Sequence, residues 1–356
     1  MLYLIIAFIL SAAFVPWTIT LAKRYGLVTD ASARTHPAHT HKGVIPRAGG
    51  APIFVAILLT TLIALPLSKI VVFILIAGSL LVVVGLIDDK YDMSPYVRFI
   101  LNFVVAGIAI AGGIGIPYIS NPFGPPILLT HPQFTIQFFG PHVIWIIADM
   151  IAIFWLVAMM NIINWSKGID GQLPGFVGIA CIFLALIAKK YGPYDIDAGH
   201  TKIFAQIVAG AFLGFWPWNF FPQKIMPGYG GGALAGFLLG VLTILAFGKM
   251  GTLFLVLAIP ILDGFYTMLR RFESGKNPFR GDSNHLHHLL LRRGWGKRTI
   301  VGFYVLITTI CGIVSLMLPN TLEKFIAICV VYFLLFAWIY RLASQDKATH
   351  KVKTSV

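Results

Sequence analysis

The sequence predicts an all-α protein that crosses a membrane many times. Three observations carry this. Of its 356 residues, 58% are hydrophobic and 11% charged, whereas soluble domains carry roughly 25% charged residues. Mean hydropathy is +0.85. The apolar residues gather into runs of about 20, the length at which a helix spans the hydrocarbon.

Eleven runs qualify, at about 2–22, 48–67, 70–87, 97–115, 143–162, 173–188, 201–217, 231–248, 250–268, 299–317 and 322–340. They leave no stretch for a large soluble domain, so residues 1–342 are read as one polytopic membrane domain. The first run has no Lys or Arg before Lys23, and Lys23 and Arg24 follow it directly. A cleaved leader carries its positive charge in front, so this run is read as a spanning helix with the N-terminus outside. Eleven crossings then put the C-terminus inside. The segments assigned to the inside hold 21 of the 27 Lys and Arg residues, as the positive-inside rule requires. The third run, Ile70 to Ile87, ends at the polar sequence DDKYDMSP. Between the fourth and fifth runs, residues 116–142 form a long outer loop rich in Pro and Gly. There ILLT and FTIQF flank THPQ and suggest a small hairpin. Residues 343–356 are polar and basic and are expected to be disordered. The sequence shows no convincing internal repeat, which argues against an inverted-repeat transporter. Cys181, Cys311 and Cys329 lie in or near apolar runs without ligand spacing and are read as core residues.

The formal net charge of +14 is therefore a cytoplasmic surface charge. It suits topology and attraction to anionic lipid, and part of it suits an anionic cytoplasmic substrate. Nucleic acid is not an expected partner, because no soluble binding module is present. Nearly all polar motifs fall in five cytoplasmic segments, HKGVIPRAGG (41–50), DDKYD (88–92), NIINWSKGIDG (161–171), NFFPQKIMPGYGGG (219–232) and RRFESGKNPFRGDSNHLHHLLLRRG (270–294). Five segments on one face predict one shared site at the membrane surface.

Asp88, Asp89 and Asp92 are the most telling group. Carboxylates at a membrane boundary are kept for ions, protons or substrates, and like charges this close repel unless a cation or proton relieves them. Mg²⁺ suits them because it takes carboxylate and phosphate oxygens together. The alternative is a helix-terminal cluster paired with Lys90 and Arg98. Asn161 and Asn164, at a span end, and Asp170 before Gly171 could read a nucleobase, a ribose or an amide, or serve as caps. The loop from Asn219 to Gly232 holds Pro222, Lys224 and four glycines. It could admit an anion at a helix N-terminus or only allow close helix packing. His285, His287 and His288 lie among Arg270, Arg271, Arg280, Arg292 and Arg293 without zinc spacing. They suit a diphosphate, or form a solvated basic loop. Asp149 lies 15 residues before Asn164, about 22 Å along a helix, and is read as structural. Asp263 is read as either a local polar partner of Arg270 or a wall of the site.

Together these motifs resemble the polyprenyl-phosphate N-acetylhexosamine-1-phosphate transferases, glycosyltransferase family 4. The resemblance runs from about Asp30 to Gly294 and rests on IPRAGG, GLIDD with DMSP, NIIN with GIDG, NFFPQKI and RR…SGKNPF.GD..HLHHLLL..G. The last segment resembles the branch using UDP-GlcNAc more than the branch using UDP-MurNAc-pentapeptide. The resemblance implies a multi-pass protein of the plasma membrane that starts a cell-envelope glycan. In that reaction undecaprenyl phosphate attacks the β-phosphate of a UDP-amino sugar, giving polyprenyl diphosphoryl sugar and UMP, with Mg²⁺ or Mn²⁺ as cofactor. It implies catalytic roles for Asp88, Asp89 and Asp170, which would also hold the metal. Arg47, Asn161, Asn164, Lys167, Asn219, Lys224, Arg270, Arg271, His285, His287 and His288 would bind substrate. Self-association as a homodimer is left open.

Two positions depart from the family. Tyr229 stands in PGYGGG where the family has an acid, and Lys167 stands where it has Asp. Lys167 could replace a cation or contact phosphate, the metal site could be weakened or displaced, or activity could be lost, leaving a protein that binds lipid carrier or partner glycosyltransferases. An active enzyme with altered metal dependence is expected.

Overall fold

The structure, a computed structural model, describes residues 1–30, 43–191, 198–246, 250–275 and 284–354. Thirteen helices make up most of it, with three two-stranded sheets between them. Arg280 and Asp282, and most of the SGKNPFRGD stretch, lie outside the described residues, as do His41 and Lys42.

The helices are α1 (Leu2–Arg24), α2 (Gly50–Ala64), α3 (Lys69–Tyr91), α4 (Pro95–Ala111), α5 (Ile146–Trp165), α6 (Gln172–Tyr191), α7 (Ala198–Asn219), α8 (Gly228–Leu245), α9 (Met250–Val256), α10 (Ala258–Glu273), α11 (Leu286–Arg292), α12 (Lys297–Met317) and α13 (Thr321–Thr354). Ten of the eleven apolar runs fall mainly on one helix each, and the run 250–268 falls on two, α9 and α10. Among the described residues, seven helices are long and apolar enough to cross a membrane: α1, α3, α5, α6, α8, α12 and α13. The pair α9–α10 makes an eighth if its two bent halves form one span. This is a multi-pass membrane protein. Helices α2 and α4 are apolar but short, and α7 carries His200 and Lys202 near one end and Asn219 at the other.

Helix α8 is the core of the bundle. Its residues from Gly228 to Ile244 are buried. It packs on α3 and α5, and its glycines permit the closest approach. A Cβ on Gly85 of α3 would run into the backbone of Gly230, so no larger residue fits that crossing. Small residues of this kind are what bring membrane helices together.

Three expectations are corrected. The run 250–268 is not one straight helix, because α9 and α10 meet at 83°. Pro260 stands in the first turn of α10, where its missing N–H leaves no intrahelical bond unmade but where a helix cannot run straight through. The hairpin of the outer loop pairs differently. Strands β5 (Gln133–Gln137) and β6 (Pro141–Trp145) form one antiparallel pair, and β3 (Tyr118–Ile119) with β4 (Ile127–Leu128) another. The tight turn is at Phe139 and Gly140, both at positive φ, rather than at THPQ. The tail from residue 343 continues α13 to Thr354. It contains no Gly or Pro to stop the helix, and Asp346 within it is bonded to Arg292 at 2.9 Å.

The chain ends of these helices explain the site. The C-terminal ends of α3, α5, α7 and α10 and the N-terminal ends of α2, α8 and α12 meet the loops that carry the motifs. A small sheet, β1 (Val28–Asp30) with β2 (Val44–Pro46), leads into Arg47. From there the backbone runs beside the segment before α8. Met226 N–H donates to Pro46, Gly49 N–H to Met226 and Gly50 N–H to Pro227.

Candidate active site

Asp88 and Asp89 occupy the last turn of α3 and are buried, at 0% and 2% exposure. Helix α3 stops at Asp92, which takes a left-handed conformation (φ 48°) while its N–H closes on Asp88 O. Ser94 caps the next helix and Pro95 begins it, so DMSP turns the chain within three residues. That turn returns Arg98 to Asp88, with Nη1 3.2 Å from both carboxylate oxygens. Met93 N–H donates to the same carboxylate at 3.1 Å. Lys90, the other partner considered, lies over the Tyr91 ring instead.

Asp89 points across to α8. It accepts from Tyr229 N–H at 3.0 Å, in the first turn of that helix, where the macrodipole favours a carboxylate. Arg47 Nε approaches it at 3.3 Å, and Arg47 Nη1 reaches Asp92 at 3.3 Å. Lys167 Nζ completes the group, donating to Asn164 Oδ1 and to Gly228 O, each at 2.7 Å. Burial holds the Lys167 ammonium down to about 7, while the Asp89 charge pulls the other way. The Tyr229 ring lies between Arg98 and Lys167, at 5.4 and 5.8 Å, and its hydroxyl donates to Asn102. Arg98, Asn102 and the Tyr229 backbone were not among the predicted site residues.

Asp170 belongs to a second group. Its carboxylate pairs with Lys297 at 3.1 Å and accepts weakly from Gln223 N–H at 3.5 Å. Lys297 opens α12, an unfavourable end for a cation, and Asp170 compensates for it. Asn219 uses its amide within the loop. It accepts from Gly171 N–H and donates to Gln223 Oε1 and Ile225 O. Asn161 donates to Val157 O of its own helix, and Lys224 is exposed over the Trp218 ring.

The third group is the histidine segment. His285 Nδ1 lies 3.0 Å from Asp263 and 3.3 Å from the Thr267 hydroxyl. Asp263 also accepts from Leu286 N–H at 2.6 Å, which satisfies an orphan donor at the start of α11. His285 and His287 stack with ring centroids 5.7 Å apart, and His287 meets His288 at 4.3 Å. His287 is buried, and its Nδ1 has no hydrogen-bond partner among the described residues. Burial and the two neighbouring imidazoles push its pKa well below the usual histidine value. Arg271 is buried at the end of α10 and Arg270 half-buried beside it. Asp263 is thus a wall of this group and not a partner awaiting Arg270. Sequence reasoning left that choice open, since nothing local joins positions 22 residues apart.

The loop after α5 ties the three groups together. Lys167 faces the aspartate pair, Asp170 faces Lys297, and Gly168 lies against His287. A Cβ on Gly168 would occupy the space of the imidazole. Asp149, at the other end of α5, accepts from Trp145 N–H and serves the helix start. A cavity of about 360 Å³ also lies at that other end, lined by Ile70, Val71, Ile114, Trp145 and Phe204, and includes none of the predicted site residues.

The implied Mg²⁺ finds no fitting set. A small divalent ion needs several oxygens in near-octahedral array. Asp88 is engaged by Arg98 and Met93, Asp89 by Arg47 and Tyr229, and Asp170 by Lys297. Among the described residues no group of three or more His, Cys, Asp or Glu is arranged to hold a metal ion. What the geometry supplies is a buried aspartate pair ringed by Arg47, Arg98 and Lys167, beside a cluster of three histidines, at one end of a membrane bundle.

These features define a membrane-embedded protein with a polar site suited to phosphate groups. The sequence profile described as glycosyl transferase family 4 matches residues 71–247, and the chain belongs to that family. Among its relatives is a Bacillus subtilis (strain 168) protein named as a probable undecaprenyl-phosphate N-acetylglucosaminyl 1-phosphate transferase. It is 27% identical over 344 residues, covering 94% of this chain and 91% of that one. A Yersinia pestis undecaprenyl-phosphate alpha-N-acetylglucosaminyl 1-phosphate transferase is 27% identical, covering 88% and 82%. A decaprenyl-phosphate N-acetylglucosaminephosphotransferase of Mycolicibacterium smegmatis is 26% identical, covering 80% and 73%.

Proposed function

We propose that this protein transfers N-acetylglucosamine 1-phosphate from a UDP-sugar to a polyprenyl phosphate in the plasma membrane, releasing UMP. The observation that carries the reading is the buried aspartate pair with Arg47, Arg98 and Lys167 around it, in a chain whose relatives bear names for this reaction. An oxygen of the lipid phosphate forms a bond to the β-phosphorus. The bond from that phosphorus to the bridging oxygen breaks, and UMP leaves with the electron pair.

Phosphoryl transfer asks for positioning and charge neutralisation more than covalent help. A phosphate monoester is already largely ionised near neutral pH, so its attack does not require a strong base. Arg47, Arg98 and Lys167 neutralise the phosphates. Asp88 and Asp89 hold those cations in place and orient substrate, and His285, His287 and His288 with Arg270 and Arg271 hold the diphosphate and sugar. Asp170, through Lys297 and the Asn219 loop, sets the floor on which the nucleotide rests. The site end faces the cytoplasm, with eleven crossings, the N-terminus outside and the C-terminus inside. The helices along the apolar runs and the basic residues at the site end support this topology.

Labelled UDP-GlcNAc and undecaprenyl phosphate, incubated with detergent-solubilised protein, test the activity. Lipid-linked label that disappears in Asp89→Asn is the expected result. Folded protein that labels no lipid from UDP-GlcNAc or related UDP-amino sugars refutes the reading. For topology, a cysteine at Phe123 should react with an impermeant maleimide from outside, and one at Lys224 only from inside.

A further inference from the structure

Around the aspartate pair, the charges balance toward an anion and not toward a metal. Asp88 and Asp89 face two guanidinium groups, Arg47 and Arg98, and Lys167, whose pKa of about 7 a bound phosphate would raise. Asp92 also meets Arg47, but its side chain is 51% exposed and its charge is screened by water. Both Asp88 oxygens accept from Arg98, and one from Met93 as well. One Asp89 oxygen accepts from Tyr229 N–H and meets Arg47. A divalent ion would have to displace the donors on Asp88, reach Asp89 through its other oxygen alone, and sit against like charge.

Lys167 is placed differently from the two arginines. Asn164 Oδ1 and Gly228 O take two of its N–H groups, and the third has no acceptor among the described residues. Those two bonds fix the ammonium, and the residue as a whole is half-buried. The Tyr229 ring separates it from Arg98 and offsets part of their repulsion through cation–π contact. A fixed ammonium with a spare donor is a phosphate ligand.

We propose that the Lys167 ammonium is the resident cation of this site, binding the diphosphate of the nucleotide sugar directly, so that transfer proceeds without a divalent ion. The proposal rests on the transferase reading. It leaves the bonds formed and broken unchanged and adds no co-reactant. The lipid phosphate offers the same chemistry as the diphosphate, so the two must be told apart by measurement.

The test compares transfer by the full chain in excess EDTA and in Mg²⁺, for the wild type, Lys167→Met and Lys167→Arg. Rates in EDTA within about threefold of those in Mg²⁺ are expected, with Lys167→Met at least roughly tenfold slower and Lys167→Arg partly retaining activity. The KM for UDP-sugar should rise in Lys167→Met while that for lipid phosphate holds; the opposite split overturns the assignment to the nucleotide sugar. Product that forms only with Mg²⁺ overturns the proposal and leaves the transferase reading standing. If folded protein makes no product in either condition, the transferase reading fails, and binding decides the role of Lys167. Inorganic diphosphate in EDTA should then raise the thermal midpoint of the wild type and of Lys167→Arg but not of Lys167→Met. An equal rise in all three, or none, overturns it. Should Lys167→Met not fold, the EDTA comparison and Lys167→Arg carry the test.

Discussion

The aspartate pair and the histidine segment lie on either side of one loop yet are built in opposite ways. Asp88 and Asp89 each have a cationic partner brought by a different element, Arg98 from α4 and Arg47 from the segment before α2. The histidines pack on one another, and His285 bonds Asp263. The first group is held by charge in a low-dielectric setting, where removing one partner leaves the other stranded. The second is held by ring packing and by the hydrogen bonds of His285 to Asp263 and Thr267. In the proposed reaction the cations around the aspartates meet phosphate, and the histidines with Arg270 and Arg271 meet the diphosphate and sugar.

Asp89→Asn should do the most damage, because it leaves Arg47 and Lys167 facing each other. Transfer should fall by about 10²–10³, the size of effect seen when a preorganised electrostatic partner is lost. A loss below tenfold would show that charge balance matters less here than on the histidine side. Gly168→Ala strikes the joint between the two groups. The added methyl meets the His287 ring, and overpacking of that kind costs about 1–3 kcal/mol. A lowered thermal midpoint and activity down roughly tenfold or more are expected. Gly107→Ala, with open space around its Cβ position, should leave both measurements unchanged.

Asp263→Ala tests the histidine side alone. It removes the carboxylate from His285 and leaves Leu286 N–H without its acceptor. Roughly tenfold slower transfer is expected, with KM affected more than by the same change at an exposed acid.

Acid should separate the two groups further. The His287 pKa lies well below its unfolded value, so below about pH 6.5 the unfolded chain takes up a proton that the native chain does not. Stability contributed by neutral His287 is thus present above that pH and lost as pH falls through it. The thermal midpoint should drop between pH 7 and 5, and drop less in His287→Asn. The smallest effects belong to Asn161→Ala and Lys224→Ala. One side chain bonds its own helix and the other lies exposed on Trp218. Each should change transfer by less than about threefold; larger losses would place them against substrate.

Much of this was legible along the chain. Asp88 with Arg98 was one of two readings open for the DDKYDMSP segment, and the spacing suffices because DMSP is a helix stop followed by a helix start. Asn164 and Lys167 share a helix end at i and i+3, within reach of one another. Other residues were missed because their partners are distant. Lys297 finds Asp170 across 127 positions, and nothing near either one announces it. Asn219 reads as a ligand-binding amide, but its donors and acceptor are turned to the loop. Pro260 sits in an otherwise apolar run, and hydropathy averages over it.

The sequence by itself determined that the chain is a bundle of membrane helices with its polar motifs gathered at one end. Hydrocarbon requires every backbone polar group to be bonded within the protein, and apolar runs of about 20 residues meet that as helices. The tertiary structure decided which charges meet. Whether two buried aspartates hold a metal or a set of cations depends on what the other helix ends bring within about 3 Å. Here those ends bring Arg47, Arg98 and Lys167.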